Sequence, residues 1–179
     1  LANILGEYPA GVSTLREYVQ NADDAEASCL VLCLDTSDTT DGCDRDLPLP
    51  SEGLRAFGGA GLLVFNDAQF SDADFVSISS IGRSRKREDS TTIGRYGLGF
   101  NVSYHFADVV QIVSGSSIVV FDPHGTHLPG QELGLRADFT DGFGAKYPGL
   151  MEPLMRPLNA ITEHLGSPVS ATCTEPVPC

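Results

Sequence analysis

The stretch Glu17-Tyr18-Val19-Gln20-Asn21-Ala22-Asp23-Asp24-Ala25 largely decides the interpretation of this chain of 179 residues. Its spacing predicts a helix, in which Glu17, Asn21 and Asp24 occupy positions i, i+4 and i+7 on one face. A carboxylate, an amide and a second carboxylate therefore follow one another along that face. The residues alone leave two interpretations open, a solvated acidic face and a polar binding face.

The rest of this helix follows the usual signals for helix boundaries. The break at Pro9-Ala10-Gly11 separates it from an earlier helical stretch, and either Ser13 or Thr14 is predicted to be its N-cap. Leu15 and Val19 are spaced for one face of the helix, and we expect that face to be buried.

Two apolar runs, at 29–35 and 62–65, predict buried strands, and the first of them should be covered on both faces. The composition between them changes to Asp, Thr, Gly, Pro and Ser, which predicts a long solvated loop. A metal-binding loop is the alternative, although the EF-hand spacing is absent. A capping box of Ser71 and Asp74 predicts that the next helix begins near Ser71.

The second half of the chain continues this mixed pattern. We expect a helix from about residue 98 to 106, a hairpin of strands at 109–113 and 118–121, and a helix at about 149–165. The sequence thus predicts an α/β domain at 1–150. Residues 151–179 would form a C-terminal helix and an irregular tail, and whether they are an incomplete end of the same domain stays open.

Charge and cysteine usage limit the classes of partner. Acidic residues outnumber basic ones 24 to 11, so the formal charge is −13. We therefore expect no nucleic acid and no membrane as a partner, because the average field repels phosphate and no apolar run approaches the roughly 18 residues of a membrane span. The 5 cysteines lack CxxC spacing, which favours buried reduced thiols and a cytoplasmic location.

Two further features suggest an anionic, base-containing ligand. Cations gather between residues 83 and 95, and Gly94, Gly97 and Gly99 stand where a helix should begin, so free amides there could face a phosphate. Tight turns use the same glycines. Asp67 at the end of a strand could accept a hydrogen bond from a base amine, but the pair Asn66-Asp67 is also typical of a turn.

In combination and in this order, these segments resemble the GHKL superfamily, which includes ninety-kilodalton heat-shock chaperones, gyrase B subunits, MutL and histidine kinases. The narrower resemblance is to the N-terminal ATPase-like region of sacsin-type proteins, over roughly residues 3 to 150. It rests on these motifs: Ile4-Leu5-Gly6-Glu7-Tyr8-Pro9, Gln20-Asn21-Ala22-Asp23-Asp24-Ala25, Phe65-Asn66-Asp67-Ala68, Ile81-Gly82-Arg83-Ser84, Ile93-Gly94-Arg95-Tyr96-Gly97-Leu98-Gly99-Phe100-Asn101 and Phe121-Asp122-Pro123-His124.

The resemblance implies a Bergerat fold, a two-layer α/β sandwich whose mixed, mainly antiparallel sheet is covered on one face by helices. It implies that Glu17 is a general base, that Asn21 holds Mg²⁺ and that Asp67 accepts from the adenine amino group. Further nucleotide contacts would fall on Asp24, Ala25, Arg83, Ser84, Gly94, Tyr96, Gly97, Leu98, Gly99 and Phe100.

The implied function is binding of ATP or ADP with Mg²⁺, with possible slow hydrolysis, in a sacsin-like chaperone or co-chaperone for protein folding and quality control. Other chaperones or client proteins would bind through neighbouring domains. The alternative is a non-catalytic interaction module that keeps the fold without productive nucleotide binding.

Overall fold

The structure is a computed structural model that describes residues 11–36, 46–81 and 100–165. Its α-helices are α1 (Val12–Asp24), α2 (Asp72–Ile81), α3 (Phe143–Lys146) and α4 (Pro148–Leu165). Its strands are β1 (Leu30–Asp35), β2 (Gly61–Asn66), β3 (Val110–Ser114), β4 (Ser117–Phe121) and β5 (Gly134–Asp138). Short 3₁₀ helices span Glu52–Phe57, Asn101–His105, Pro129–Gln131 and Phe139–Asp141.

The strands form two sheets. β1 pairs with β2, with Leu30 opposite Asn66, and the other sheet has the order β3-β4-β5. All ladders in the described parts of the chain are antiparallel. The expected α/β class with antiparallel pairing is therefore confirmed, whereas parallel pairing of a mixed sheet is not seen in these residues.

The main core lies between the three-stranded sheet, the Glu52–Phe57 3₁₀ helix and α4. Its buried members are Leu54, Val109, Ile118, Val120, Leu128 and Leu150. Arg156 on α4 reaches β1, where its Nε donates to Asp35 Oδ2 at 2.8 Å, and it also donates to the Gly58 and Gly59 carbonyls. Because a partly buried guanidinium is stabilised by several acceptors, this network fixes α4 against the rim of the two-stranded sheet.

Several sequence predictions agree with these elements. The helix predicted at 149–165 is α4, and the predicted hairpin is β3–β4 with a turn of two residues. At the start of α2, Asp74 Oδ2 accepts from the Ser71 amide at 2.8 Å, and Ser71 Oγ accepts from the Asp74 amide at 3.3 Å. These reciprocal bonds confirm the capping box.

The prediction that both faces of the first strand are covered is wrong. β1 is not covered on both faces, since Leu32 and Leu34 are 41% and 70% exposed. Its other face, with Val31 and Cys33, is partly buried. A run of apolar residues indicates a strand but does not show that both faces have a partner.

Two predictions about the first helix, its N-cap and its buried face, are also wrong. Its N-cap is Gly11, without a side-chain cap bond, so Ser13 and Thr14 lie inside the helix. Leu15 and Val19 are 36% and 53% exposed, so the face that they share is not the buried one.

Two further predictions, one of a loop and one of a helix, are refined as well. The stretch predicted as a solvated loop contains the Glu52–Phe57 3₁₀ helix, whose Leu54 is almost fully buried. The helix predicted at about 98–106 is described from Phe100 onward, and Asn101–His105 is a 3₁₀ helix. None of the helices in the described ranges is sufficiently long and apolar to cross a membrane.

Candidate functional site

The polar face of α1 lies at the edge of the buried surface. Thr14 and Ala22 face inward and are 1% and 5% exposed. Glu17 and Asn21 are half-buried, while Asp24 and Ala25 are exposed. Glu17 and Asn21 thus stand at the border between protein and solvent, where a side chain is held in place and can still meet a ligand.

α1 packs against the 3₁₀ helix Asn101–His105. The Tyr18 hydroxyl donates to Ser103 Oγ at 3.0 Å across 85 residues of sequence. Burial raises the pKa of Tyr18, and the Ser103 bond offsets this only in part, so the phenol stays protonated at neutral pH. The helix that carries Glu17 and Asn21 is therefore joined to the element that follows the glycine-rich segment.

Phe100 stands at the beginning of that 3₁₀ helix. Its ring packs against Phe121 at the end of β4, with the ring centres 5.3 Å apart, and against Tyr104 at 6.0 Å. Phe100 is half-buried. These ring contacts fix the point at which the chain leaves the glycine-rich segment and joins the core.

Asp67 is engaged by the protein itself. Its Oδ1 accepts from the amides of Ser28 and Cys29 at 2.8 and 3.1 Å, and its Oδ2 accepts from the Ser28 hydroxyl. Burial alone would raise the pKa of Asp67, but these hydrogen bonds outweigh it and the pKa is lowered. The carboxylate is therefore charged at neutral pH and joins the start of β1 to the end of β2.

The neighbouring Asn66 makes a turn. Its Oδ1 accepts from the Ala68 amide at 3.0 Å, which is an Asx turn. The turn interpretation of the Asn66-Asp67 pair is thus correct for Asn66. Asp67 is half-buried, so part of its carboxylate stays open to solvent.

A second strand-end carboxylate is Asp122, which belongs to the Phe121-Asp122-Pro123-His124 motif and is not among the predicted site residues. It is fully buried, and its Oδ2 accepts from the amides of His127 and Leu128. Its Oδ1 is buried and has no hydrogen-bond partner among the residues that the structure describes. Burial opposes ionisation, but the bonds from His127 and Leu128 outweigh it, so the pKa of Asp122 is lowered. An Asp-Pro pair after a strand signals such a turn, although it does not reveal the burial.

The donor set on α1 suits Mg²⁺. Mg²⁺ prefers oxygen ligands and usually keeps several waters, so it needs only one or two protein oxygens beside a phosphate. Asn21 supplies an amide oxygen for the metal, while Glu17 is the predicted general base, and neither side chain is hydrogen-bonded to another residue in the described ranges. In those ranges no group of three or more His, Cys, Asp and Glu side chains is placed to hold a metal by itself.

The remaining predicted contacts lie outside the residues that the structure describes, namely Arg83, Ser84, Gly94, Tyr96, Gly97, Leu98 and Gly99. The structure therefore brings together one part of the predicted site, α1 and the segment from Phe100 onward. It also shows what holds Asp67 in place.

Comparison with known proteins shows the family to which this chain belongs. A sequence model of the Sacsin domain family matches residues 1–162, and the chain belongs to this family. Among individual proteins, it is similar to human Sacsin, with 39% identity over 128 residues. That alignment covers 72% of this chain and 3% of human Sacsin, so the chain corresponds to a small part of that relative's length.

Proposed function

We propose that this chain is a Mg-ATP-binding domain of a sacsin-like chaperone or co-chaperone, built on the Bergerat fold of the GHKL superfamily. The observation that carries the proposal is the junction of α1 with the Asn101–His105 3₁₀ helix. It places Glu17 and Asn21 on an element packed against the one that follows the glycine-rich segment. Membership of the Sacsin domain family supports the same conclusion.

In this proposal, α1 acts at the phosphate end of the nucleotide. Mg²⁺ would be held through Asn21 and would supply positive charge at the phosphates. Glu17 is half-buried at the border with solvent, so its carboxylate can accept a proton from a water molecule and support slow hydrolysis. Phosphoryl transfer needs positioning and charge stabilisation more than covalent chemistry from the protein.

Asp67 acts at the base end. Its carboxylate is charged, and its two oxygens are held in a fixed direction by Ser28 and Cys29. An amino group can donate to the solvent-facing part of this carboxylate, which favours adenine over a base that presents a carbonyl at that place. Because Ser28 and Cys29 already hold the carboxylate in place, less conformational entropy is lost when a ligand binds to it.

The wider role is part of the same proposal. Protein folding and quality control would be served through other chaperones or clients bound to neighbouring regions of a longer protein. Cys29 and Cys33 form no disulfide within the part of the chain that the structure describes, which supports a cytoplasmic location.

One observation favours a second candidate function, a non-catalytic interaction module. Asp67 is already satisfied by Ser28 and Cys29, as a purely structural carboxylate would be. In that case the fold would be kept without productive nucleotide binding.

Thermal unfolding of the full chain with and without Mg-ATP separates the two functions. ATP at a hundred times its Kd should raise Tm by roughly 5 to 10 °C. Asp67→Asn should abolish this shift, because an amide that turns its nitrogen toward the base no longer accepts. Glu17→Gln should keep the shift and reduce turnover by about 10²- to 10⁴-fold.

Asp138→Asn is the matched control. Asp138 also ends a strand and accepts from the Thr140 amide at 2.8 Å and from the hydroxyls of Thr140 and Ser116, but it lies on β5. We expect Asp138→Asn to bind Mg-ATP like the wild-type chain. Absence of any shift in the wild-type chain at millimolar Mg-ATP would contradict nucleotide binding and support the interaction module.

A further inference from the structure

The buried face of α1 is not the apolar face that the sequence pattern predicts. It is partly polar. Thr14, Tyr18 and Ala22 face inward at positions i, i+4 and i+8, and two of the three carry hydroxyls. The apolar alternative, the face with Leu15 and Val19, is turned to solvent. Burial of Leu15 and Val19 therefore does not set the rotation of α1 about its axis in this structure.

The surface opposite α1 is buried and partly polar as well. In the 3₁₀ helix, Asn101, Val102 and Ser103 are 3%, 0% and 8% exposed. Tyr18 donates to Ser103 across this boundary at 3.0 Å, whereas Thr14 Oγ1 is buried and has no partner in the described residues. Of the two hydroxyls on the inner face of α1, it is that of Tyr18 that fixes the contact.

The rotation of α1 decides where the candidate site residues lie. Each residue turns a helix by about 100°, so Glu17 and Asn21 lie about 40° apart and about 60 to 100° from Tyr18. With Tyr18 facing inward, both side chains fall at the border, in agreement with their half-buried state. Burying Leu15 and Val19 instead would turn the helix by about 80° and move Glu17 and Asn21 with it.

We propose that Tyr18 is a positioning residue, whose hydroxyl bond to Ser103 fixes the rotation of α1 and with it the direction in which Glu17 and Asn21 face the nucleotide phosphates. This inference rests on the proposed function. It adds a residue pair, Tyr18 and Ser103, that contacts no ligand atom but sets the geometry of those that do. A site misplaced by even 1 Å loses much of its activity, so a single buried bond can control binding.

The test uses Tyr18→Phe, Ser103→Ala and the double variant, with Tyr147→Phe as the control. Tyr147 is also half-buried and packs its ring on Phe143, but it belongs to the junction of α3 and α4. Affinity for Mg-ATP and for adenosine is measured by calorimetry at a temperature where circular dichroism shows every variant folded. Adenosine reports the base end alone, since it has no phosphates.

Each single variant should weaken Mg-ATP binding by about 3- to 10-fold, the size of one hydrogen bond, and leave adenosine affinity unchanged. The double variant should lose no more than either single one, because both remove the same bond. Tyr147→Phe should bind like the wild-type chain.

Other outcomes overturn the inference. If Tyr18→Phe lowers Tm but leaves Mg-ATP affinity unchanged while the wild-type chain binds, Tyr18 is merely structural and the proposed function survives. Equal losses for Mg-ATP and adenosine, or additive losses in the double variant, would also refute the positioning role. A wild-type chain that binds neither ligand overturns this inference together with nucleotide binding.

Discussion

Two aspartates, Asp67 and Asp122, follow the ends of strands and are held in contrasting ways. Asp67, after β2, accepts from Ser28 and Cys29, which precede it by 39 and 38 residues. Asp122, after β4, accepts from His127 and Leu128, only 5 and 6 residues further on. Asp122 therefore closes its own loop, whereas Asp67 joins two distant segments.

The two aspartates also differ in burial. Asp122 is fully enclosed, and its loop is packed so closely that a Cβ on Gly53 would lie 2.8 Å from the His127 carbonyl oxygen. Asp67 is half-buried. A carboxylate that is enclosed on every side serves stability, while one that is preorganised and still open to solvent can also serve a ligand.

The largest expected effect is the loss of stability when Asp122 is replaced. Asp122→Ala leaves the amides of His127 and Leu128 without an acceptor in a buried place, and unfolding free energy should fall by about 2 to 4 kcal/mol. Urea unfolding followed by circular dichroism measures this loss. A loss below about 1 kcal/mol would mean that water replaces the carboxylate and that the loop is less enclosed than the structure shows.

Asp67→Ala should cost less stability, about 1 to 2 kcal/mol, although it removes as many backbone bonds. Ser28 is exposed, so water can replace the lost acceptor for its amide, and only Cys29 is left with a buried donor. The same urea titration, run beside Asp122→Ala, checks the order. A larger loss for Asp67→Ala than for Asp122→Ala would break the contrast between the two carboxylates.

This contrast also shows what the sequence could predict. The Asn66-Asp67 pair and the Asp122-Pro123 pair both indicate turns, and both turns exist. The Ser71–Asp74 capping box was also predicted correctly, because a few neighbouring residues determine it, whereas the N-cap predicted at Ser13 or Thr14 was wrong. The partners of Asp67 lie 38 and 39 residues away, and no local pattern specifies them.

Helix α1 shows what the sequence could not predict about packing. The spacing of Glu17 and Asn21 predicted a helix with both on one face, which α1 confirms. The same spacing logic assigned Leu15 and Val19 to the buried face and was wrong, because the partner surface at Asn101–Ser103 offers a hydroxyl to Tyr18. Hydrophobic periodicity predicts the amphipathic pattern of a helix but not the chemistry of the surface that it meets.

The smallest expected effect is a pH dependence that both carboxylates share. Hydrogen bonds lower the pKa of Asp67 and of Asp122 below the ordinary value of about 3.9, despite their burial. The unfolded chain then binds protons first as the pH falls. Stability from these groups is complete above the unfolded pKa and is lost progressively as the pH falls from about 5 through the folded values.

Urea unfolding at intervals between pH 7 and pH 3 should therefore give a falling curve below about pH 5, and Asp67→Asn should make that fall shallower because one linked group is gone. Asn66→Ala is the matched control, since it removes the adjacent Asx turn and no titrating group. It should lower the curve at every pH without changing its slope. If Asp67→Asn kept the wild-type slope, the bonds from Ser28 and Cys29 would not favour the charged form, and Asp67 would lose the fixed, ionised state on which its contrast with Asp122 depends.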